Sequence, residues 1–362
     1  MKRLIIPLGE RSYPVLVDHG LLEHPGSWAT QLPPGPAVII TNDRVAPLYL
    51  DTLVAGLSDR PVHTLVLPDG EAEKNFDNYQ RAIAFLAERG IRRDACLVAL
   101  GGGVIGDLCG FVAATWMRGV RFAQFPTTLL AQVDASVGGK TAINIPAGKN
   151  LVGAFHQPSL VVADTATLET LEDREYRAGL AEIVKAGAIR DAEFLDAIEA
   201  RADALLERQP DALIETVARS IEHKAEVVAA DEREAGVRAL LNFGHTFGHA
   251  IETRTAYSRF LHGEAVAMGM VVAARLSENR GLCPAGVTDR LSAILHRLEL
   301  PVTMPADLDA DELLALMVLD KKHTSTAQRF ILLRGLGDAF IDADSSAEEL
   351  RTAIEACIDH RE

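Results

Sequence analysis

The apolar residues of this chain change their spacing near residue 170, and this change limits the fold more than any other feature of the sequence. Before that point, short runs rich in β-branched residues end at turn-forming residues, as in residues 37–40, 63–67, 96–100 and 160–163. Between the second and third runs, apolar residues recur at helical spacing within residues 75–89. Strands that alternate with helices predict an α/β N-terminal domain with a Rossmann-like, mostly parallel sheet.

After about residue 172, long stretches rich in Ala, Leu and Glu carry apolar residues at intervals of about 3.6 residues. Residues 192–206, 213–229 and 264–280 show this pattern. We therefore predict an all-helical C-terminal domain. A length of 362 residues suits two domains of ordinary size, and we place them at residues 1–171 and 172–362.

The charge balance argues against nucleic acid as a partner. The chain has 51 acidic and 36 basic residues, a formal net charge of −15, whereas binding to a phosphate backbone requires a basic face. No apolar run is long enough for a membrane helix, and the four cysteines are far apart with no Cys-x-x-Cys pair. These features predict a cytoplasmic protein with reduced cysteines that binds neither nucleic acid nor a membrane.

One segment has a different charge balance. Between residues 118 and 150 stand four basic residues, Arg118, Arg121, Lys140 and Lys149, and a single acidic residue, Asp134. A small anionic ligand would suit this segment.

Residues 126–140 are rich in small and hydroxyl side chains and end with the loop Gly138-Gly139-Lys140. The loop lacks the four-residue spacer of a Walker A motif, so the sequence does not support ATP hydrolysis. Asn150, next to Lys149, supplies an amide close by in the sequence. For Lys140 alone, a surface loop without a ligand is the simpler interpretation, but the cluster favours an anion site.

A glycine-rich turn follows the strand predicted at residues 96–100. Gly101, Gly103 and Gly106 satisfy the pattern G-x-G-x-x-G, in which glycines let the backbone approach a pyrophosphate at a helix N-terminus. A tight turn that binds no ligand fits the pattern equally well. No acidic residue stands about 20 positions further on to bind a ribose.

A dinucleotide site would therefore take its ribose contact from an earlier strand end. Asn42-Asp43 and the segment 69–74 each follow a predicted strand. Open α/β sheets bind ligands at the carboxyl ends of their strands, so both segments are candidates.

Histidines are concentrated in the C-terminal half. His245 and His249 are spaced i and i+4 and so share one helix face, His262 follows closely, and Glu182 lies in an earlier helical stretch. Two histidines and one carboxylate can hold zinc and leave a position open for a substrate oxygen. Histidines hydrogen-bonded in a helical core would show the same pattern. The motif H-E-x-x-H is absent, which disfavours proteolysis.

Taken together, these stretches resemble the 3-dehydroquinate synthase family over nearly the whole chain. The resemblance is carried by residues 69–71 with Lys74, and by residues 102–107, 117–120, 126–140, 148–150, 179–185, 242–249, 262–264 and 320–322. It implies a homodimer that acts on the anionic sugar phosphate 3-deoxy-D-arabino-heptulosonate 7-phosphate in the shikimate pathway. It further implies that NAD⁺ oxidises the substrate at C5, that phosphate is eliminated, that C5 is reduced again, and that an intramolecular aldol step closes the ring of 3-dehydroquinate.

The resemblance also implies a role for each matching residue. Glu182, His245 and His262 would hold a divalent metal ion, zinc or cobalt, so the resemblance replaces the pairing of His245 with His249 that spacing suggests. Asp134 and Lys185 would address the hydroxyl groups and move protons. The substrate phosphate would be bound by Lys140, Asn150, His249 and Lys322 with Lys321, and by Arg118 from the partner subunit. Lys224, Arg238 and Asn242 would receive the substrate carboxylate, and Lys149 would lie near both substrate and cofactor.

For NAD, the resemblance implies contacts at the strand ends and at the glycine-rich turn. The matching residues are Asn42, Asp69, Gly70, Glu71, Lys74, Gly102, Gly103, Val104, Ile105, Gly106, Asp107, Thr127, Thr128, Lys140, Lys149, Thr167 and Thr170.

Three alternatives remain open from the sequence. Other sugar phosphate cyclases share the cofactors but differ in the substrate contacts, and metal-dependent polyol dehydrogenases release NADH. The third is a dinucleotide-sensing protein without catalytic activity, which would have no evident use for a metal site.

Overall fold

A computed structural model describes residues 1–234, 236–321 and 329–359 of the chain. The strands are Lys2–Ile6 (β1), Tyr13–Asp18 (β2), Ala37–Asn42 (β3), Val62–Leu67 (β4), Cys96–Gly101 (β5), Arg121–Pro126 (β6), Lys140–Ile145 (β7), Gly148–Phe155 (β8), Leu160–Asp164 (β9), Met304–Pro305 (β10), Phe330–Gly335 (β11), Asp338–Asp342 (β12) and Ile358–Asp359 (β13). The α-helices are Ala46–Gly56 (α1), Phe76–Glu88 (α2), Gly103–Thr115 (α3), Asp173–Arg190 (α4), Ala192–Ala200 (α5), Ala202–Leu206 (α6), Pro210–Ala230 (α7), His245–Arg254 (α8), His262–Asn279 (α9), Val287–Arg297 (α10), Ala310–Lys321 (α11) and Ala347–Glu355 (α12).

Contacts between Cα atoms divide the chain into two compact units. Unit 1 consists of Met1–Glu172 and Pro210–Arg233, and unit 2 of Asp173–Gln209 and Glu234–Glu362. Helix α7 belongs to unit 1, where it contacts β1 and β2. The division into domains at residues 171 and 172 stays a prediction.

Unit 1 is built on a seven-stranded sheet with the order β1-β2-β9-β6-β5-β3-β4. Only the edge pair β1–β2 is antiparallel, and the remaining neighbours are parallel. The mostly parallel sheet predicted from the sequence is thereby confirmed. Because the parallel strands run the same way, the carboxyl ends of β3, β4, β5, β6 and β9 lie along one edge of the sheet.

Both faces of the sheet are covered. Val38 and Ile40 of β3 belong to one buried cluster, together with residues of α2 and α3. Ala37 and Ile39 of the same strand belong to a second cluster, which contains Leu53 of α1. Side chains of a strand point alternately to opposite faces, so burial of consecutive residues gives the continuous apolar runs seen in the sequence.

The predicted helix over residues 75–89 is confirmed as α2, and Asn75 begins it as N-cap by accepting a hydrogen bond from the backbone N–H of Asn78. The sequence analysis predicted neither the antiparallel pair β1–β2 nor the hairpin β7–β8, which contains Lys140, Lys149 and Asn150.

Unit 2 is largely helical, which confirms the helical C-terminal domain predicted from the sequence, although not every element in it is a helix. It also contains two small sheets, β10–β13 and β11–β12. The hairpin β11–β12 follows from the apolar run of β11 and the left-handed Gly337, whose φ of 87° suits a tight turn. The helix predicted over residues 192–206 is interrupted at Arg201 between α5 and α6.

Within the described ranges, no helix is both long and apolar enough to cross a bilayer. The four cysteines are free thiols, and Cys96, Cys109 and Cys357 are buried. Burial raises the pKa of Cys96 to about 12 and that of Cys357 to about 11, which keeps these thiols protonated and suits a role in packing.

Candidate functional site

Three helices of unit 2 bring two histidines and a carboxylate together. Nε2 of His245, at the start of α8, lies 3.6 Å from Oε1 of Glu182 on α4. Nε2 of His262, the first residue of α9, lies 3.9 Å from the same oxygen. One ligand atom from each residue lies within 4.8 Å of the other two, so a single ion could contact all three.

The helices approach each other closely because of a glycine. Gly263 follows His262, and a Cβ at this position would overlap the backbone of Ala178 on α4. Only a glycine therefore permits the start of α9 to lie against α4 at this distance. This packing brings His262 to Glu182.

The two histidines present the same ring nitrogen to Glu182. Nδ1 of His245 lies 3.2 Å from the carbonyl oxygen of Phe243, and Nδ1 of His262 lies 3.2 Å from Oε2 of Glu252. A neutral imidazole that donates from Nδ1 keeps a lone pair on Nε2. Both lone pairs then face Glu182, as in metal sites whose histidines are oriented by outer hydrogen bonds.

Glu182 is buried, and its Oε1 accepts no hydrogen bond from the residues that the structure describes. Nζ of Lys185 contacts Oε2 directly. Burial, followed by the positive charge of Lys185, holds the pKa of His245 well below its usual value, so this histidine is neutral at physiological pH. Burial lowers the pKa of His262 as well, but the hydrogen bond and charge of Glu252 outweigh it and raise the pKa.

His249 is one turn beyond His245 and is exposed. With Glu252 and His262 it forms a second group of three residues close enough to share an ion. His262 belongs to both groups, so the geometry alone admits either.

The candidate dinucleotide residues of unit 1 follow the ends of neighbouring parallel strands. Gly102 lies at the turn between β5 and α3, and a Cβ there would come within 3.0 Å of Thr128. Thr127, at the end of β6, donates its backbone N–H to the carbonyl oxygen of Gly101 at 3.0 Å. Val104, Ile105 and Gly106 continue the first turns of α3. The backbone N–H groups at the N-terminus of a helix favour an anion.

Lys74, which follows strand β4, is a buried lysine that pairs with two carboxylates. Nζ of Lys74 lies 2.9 Å from Oδ2 of Asp107 and 3.6 Å from Oε1 of Glu71. Burial lowers the pKa of Lys74, but the two carboxylates outweigh it and raise the pKa, so the ammonium stays charged. Asn144, which sequence reasoning missed, donates to Oε1 of Glu71 at 2.7 Å and accepts from the backbone N–H of Asn150 at 2.9 Å.

The remaining strand-end residues are also hydrogen-bonded. Asn42 donates from Nδ2 to Oδ1 of Asp69 at 2.6 Å, and Gly70 follows with a φ of 122°. Thr167 is buried, and its hydroxyl group accepts a hydrogen bond from Gln132 at 3.2 Å. Thr170 is exposed and shares a hydrogen bond with the hydroxyl group of Tyr49. Gln132 lies in the segment 126–140, but the sequence analysis gave it no role of its own.

Asp134 lies in a π-helix, Ala131–Ala135, a form of helix that occurs often at functional sites. Nζ of Lys224, on α7, donates to Oδ1 of Asp134 at 2.6 Å and also contacts its carbonyl oxygen. The structure therefore brings together two residues to which the resemblance gave different roles.

The other candidate residues are spread over both units. In unit 1, Lys140 and Asn150 are exposed on the hairpin β7–β8, and Lys149 is half-buried. Arg118 is exposed, with a φ of 66°. In unit 2, Arg238 is buried, and Asn242 donates from Nδ2 to Oε1 of Glu234 at 2.9 Å. Lys322 lies outside the described residues.

Two solved structures of similar fold are named as synthases and contain NAD⁺ and a divalent metal ion. The 2-epi-5-epi-valiolone synthase of Streptomyces hygroscopicus subsp. jinggangensis, solved with NAD⁺ and Zn²⁺ bound, is 32% identical, with a TM-score of 0.89 and coverage of 97% of this chain and 98% of that one. A 2-deoxy-scyllo-inosose synthase, solved with carbaglucose-6-phosphate, NAD⁺ and Co²⁺, is 25% identical, with a TM-score of 0.90 and coverage of 98% and 100%. The fold and the residues above thus define a sugar phosphate cyclase.

Two family matches and a close relative make the assignment more specific. The families 3-dehydroquinate synthase N-terminal and 3-dehydroquinate synthase C-terminal match residues 64–178 and 179–323. The 3-dehydroquinate synthase of Methylococcus capsulatus is 52% identical over 98% of this chain and 99% of its own length. The chain belongs to the 3-dehydroquinate synthase family.

Proposed function

We propose that this chain converts 3-deoxy-D-arabino-heptulosonate 7-phosphate to 3-dehydroquinate and phosphate. The observation that carries the proposal is the group of Glu182, His245 and His262 in a chain 52% identical to a 3-dehydroquinate synthase over almost its full length. A cytoplasmic location and a homodimer are part of the proposal.

Glu182, His245 and His262 are the ligands we propose for a divalent metal ion. The group offers one carboxylate and two imidazoles and has no sulfur ligand, a set that suits zinc or cobalt. Oε1 of Glu182, which is buried, accepts no hydrogen bond from the described chain and faces both imidazoles, fits an ion as its partner. When bound, such an ion supplies Lewis acidity toward the substrate's hydroxyl and ketone oxygens.

NAD is the second cofactor that we propose. Gly102 and Gly103 would allow the pyrophosphate to approach the backbone at the start of α3, where N–H groups favour an anion. Asn42, Asp69, Gly70, Glu71 and Lys74 would contact the rest of the dinucleotide along the same edge of the sheet. When bound, NAD⁺ supplies a reversible hydride acceptor for C5.

The side chains of this chain would hold the substrate and move its protons. Asp134 is oriented by Lys224 and would accept a proton from a substrate hydroxyl group. Lys185, held by Glu182, would serve a second hydroxyl group. Lys140, Asn150, His249 and Lys322 would bind the phosphate, and Arg238 with Asn242 would bind the carboxylate, for which a guanidinium is well matched.

Lys224 has two roles open to it. The resemblance places it at the substrate carboxylate, and its contacts place it at Asp134. A lysine has three N–H donors, so the two roles are compatible.

The reaction is tested by mixing the purified chain with the heptulosonate phosphate, NAD⁺ and zinc or cobalt. We expect phosphate to be released with no lasting gain of NADH, because the hydride returns to C5. Lasting NADH without phosphate release would instead indicate a polyol dehydrogenase. Absence of release with metal present would overturn the proposal.

A different cyclase is the alternative that the comparisons favour next, since both solved relatives named above make other products. Phosphate release from a sugar phosphate without a carboxylate, and not from the heptulosonate phosphate, would support it. The variant Arg238→Ala distinguishes the two substrates. It should weaken binding of a substrate with a carboxylate and leave binding of a sugar phosphate without a carboxylate unaffected.

We also propose that Arg118 completes the site of the partner subunit. Its exposed side chain and left-handed backbone, with φ values of 48° at Met117 and 66° at Arg118, support this role. Arg118→Ala and Lys185→Met should each be inactive alone, and mixed dimers of the two should regain activity. Mixed dimers that stay inactive would contradict action across the dimer.

A further inference from the structure

His262 lies between two carboxylates, one on each of its ring nitrogens. Nε2 is 3.9 Å from Oε1 of Glu182 on α4, and Nδ1 is 3.2 Å from Oε2 of Glu252 on α8. Glu252 is buried, with 6% of its surface exposed. A carboxylate is rarely buried to this degree unless it is paired, so the contact with His262 calls for an explanation.

We propose that Glu252 is a positioning residue for His262 and is not itself a metal ligand. Glu252 accepts a hydrogen bond from Nδ1, which places the single N–H of the neutral ring on that side. Nε2 then carries the lone pair and points at Glu182. This inference rests on the metal site of the proposed function and adds to it the residue that selects the tautomer of one ligand.

The arrangement around His245 supports this reading. Nδ1 of His245 is engaged by the carbonyl oxygen of Phe243 at 3.2 Å, and its Nε2 also faces Glu182. The two histidines thus use the same nitrogen toward the same oxygen. His245 is oriented by a backbone carbonyl group two residues earlier, whereas His262 depends on a side chain from a neighbouring helix.

His262 needs such an outside partner because of where it stands. It is the first residue of α9, so no preceding helical turn restricts its ring. The hydrogen bond to Glu252 links the start of α9 to α8. Together with the contact between Gly263 and Ala178, it determines both the place of the backbone and the direction of the ring.

The alternative is that Glu252 binds the ion in the group His249, Glu252 and His262. A ring nitrogen that donates a hydrogen bond to a carboxylate cannot at the same time bind a metal. With Nδ1 engaged by Glu252, only Nε2 of His262 is available, and it faces Glu182. Oε1 of Glu182, the oxygen that this nitrogen faces, accepts no hydrogen bond within the described chain, which favours the group that contains it.

The test measures metal affinity of the full chain by competition with a chromophoric chelator, for Zn²⁺ and Co²⁺. Glu252→Ala should bind about 10–100-fold more weakly than the unaltered protein, the usual effect of losing an outer hydrogen bond to a ligand. Glu252→Gln should recover much of the loss, because its amide oxygen still accepts from Nδ1. The visible absorption of bound Co²⁺ should change in Glu252→Ala and return toward the original in Glu252→Gln.

Glu278→Gln is the matched control. Glu278 is a partly buried carboxylate near the other end of α9, where it accepts from the backbone N–H of Thr288 at 3.0 Å. Its replacement also removes one negative charge from the unit and should leave metal affinity unchanged. A loss of metal affinity in Glu278→Gln as large as that in Glu252→Ala would show that the effect comes from charge or stability and would overturn the proposal.

Other outcomes separate this inference from the proposed function. If the unaltered protein binds metal and Glu252→Ala binds it equally well, the positioning role is wrong and the metal site stands. If Glu252→Ala loses metal as completely as Glu182→Ala, Glu252 is a ligand and the proposal fails. If His245→Ala keeps full affinity, the ion lies elsewhere, and both proposals fail. Should Glu252→Ala not fold, Glu252→Gln and the Co²⁺ spectrum decide.

Discussion

His245 and Glu182 meet in the interior of unit 2, with Nε2 of the histidine 3.6 Å from Oε1 of the carboxylate. Their helices, α8 and α4, are far apart in the sequence. Lys185, one turn after Glu182, contacts the same carboxylate. The carboxylate therefore serves two partners, a neutral imidazole and a buried ammonium.

Replacing Glu182 should have two separable effects. Glu182→Gln removes the charge beside Lys185, and we expect the metal-free protein to lose about 3–5 kcal/mol of unfolding free energy, as when one partner of a buried pair is removed. Metal affinity should fall by more than about 100-fold, which is the largest loss usually seen when a hydrogen-bond partner of a metal ligand is removed. Chemical denaturation and metal analysis measure the two effects.

The double variant Glu182→Gln with Lys185→Met is the control for that experiment. It removes both charges, so stability should largely return while metal retention stays low. Recovery of metal binding in the double variant would show that Glu182 is not a ligand.

Gly263→Ala should disturb the same region through packing. Because its Cβ would overlap the backbone of Ala178, α9 must shift away from α4, and the cost should be about 1–3 kcal/mol or more. His262 would move with the helix, so metal affinity should fall too. The control is Gly335→Ala, since no atom lies within 4 Å of a Cβ at Gly335. Similar urea midpoints for the two variants would contradict this account.

Lys74 should be important for the stability of unit 1 as well as for dinucleotide binding. Lys74→Met leaves Asp107 without its ammonium partner, at a cost of about 3 kcal/mol, since Asp107 keeps 20% of its side chain exposed. Adding Asp107→Asn should restore part of this stability, because burial by itself raises the pKa of Asp107 and disfavours its charge. A double-variant cycle of denaturation midpoints measures the coupling, and additive losses would argue against the ion pair.

Acid should weaken unit 2 through Asp342. Burial tends to raise the pKa of this carboxyl group, but hydrogen bonds from Ser345 and Arg280 outweigh burial and lower it below its usual 3.8. The folded state therefore binds this proton less readily than the unfolded state. The resulting stability is present above about pH 3.8 and is lost as the pH falls through the folded pKa.

We expect Asp342→Asn to cost about 1.5–3 kcal/mol near neutral pH, the range for hydrogen bonds to charged groups. The difference from the unaltered protein should shrink in acid. Asp344→Asn, at an exposed position, should show no such pH dependence. Urea denaturation at neutral and acidic pH checks the prediction, and a difference that grows in acid would contradict it.

Local patterns accounted for much of this protein. The β-branched runs predicted β3, β4, β5 and β9, because strands buried on both faces need continuous apolar residues whatever their neighbours are. The 3.6-residue period predicted α7 and α9 in the same way. Candidate residues such as Gly102, Glu182 and His262 could be singled out because their residue types are unusual for a plain core.

The sequence alone determined the kinds of elements and the residues able to do chemistry, since periodicity and residue type act over a few neighbouring positions. Only the tertiary structure decided that α7 joins unit 1, that Lys224 meets Asp134, and that Glu252 reaches Nδ1 of His262. Lys224 and Asp134 are 90 residues apart in the sequence, and Glu252 and His262 lie on different helices. Their distances depend on how helices and sheets pack, and packing is set by the shapes of many side chains at once.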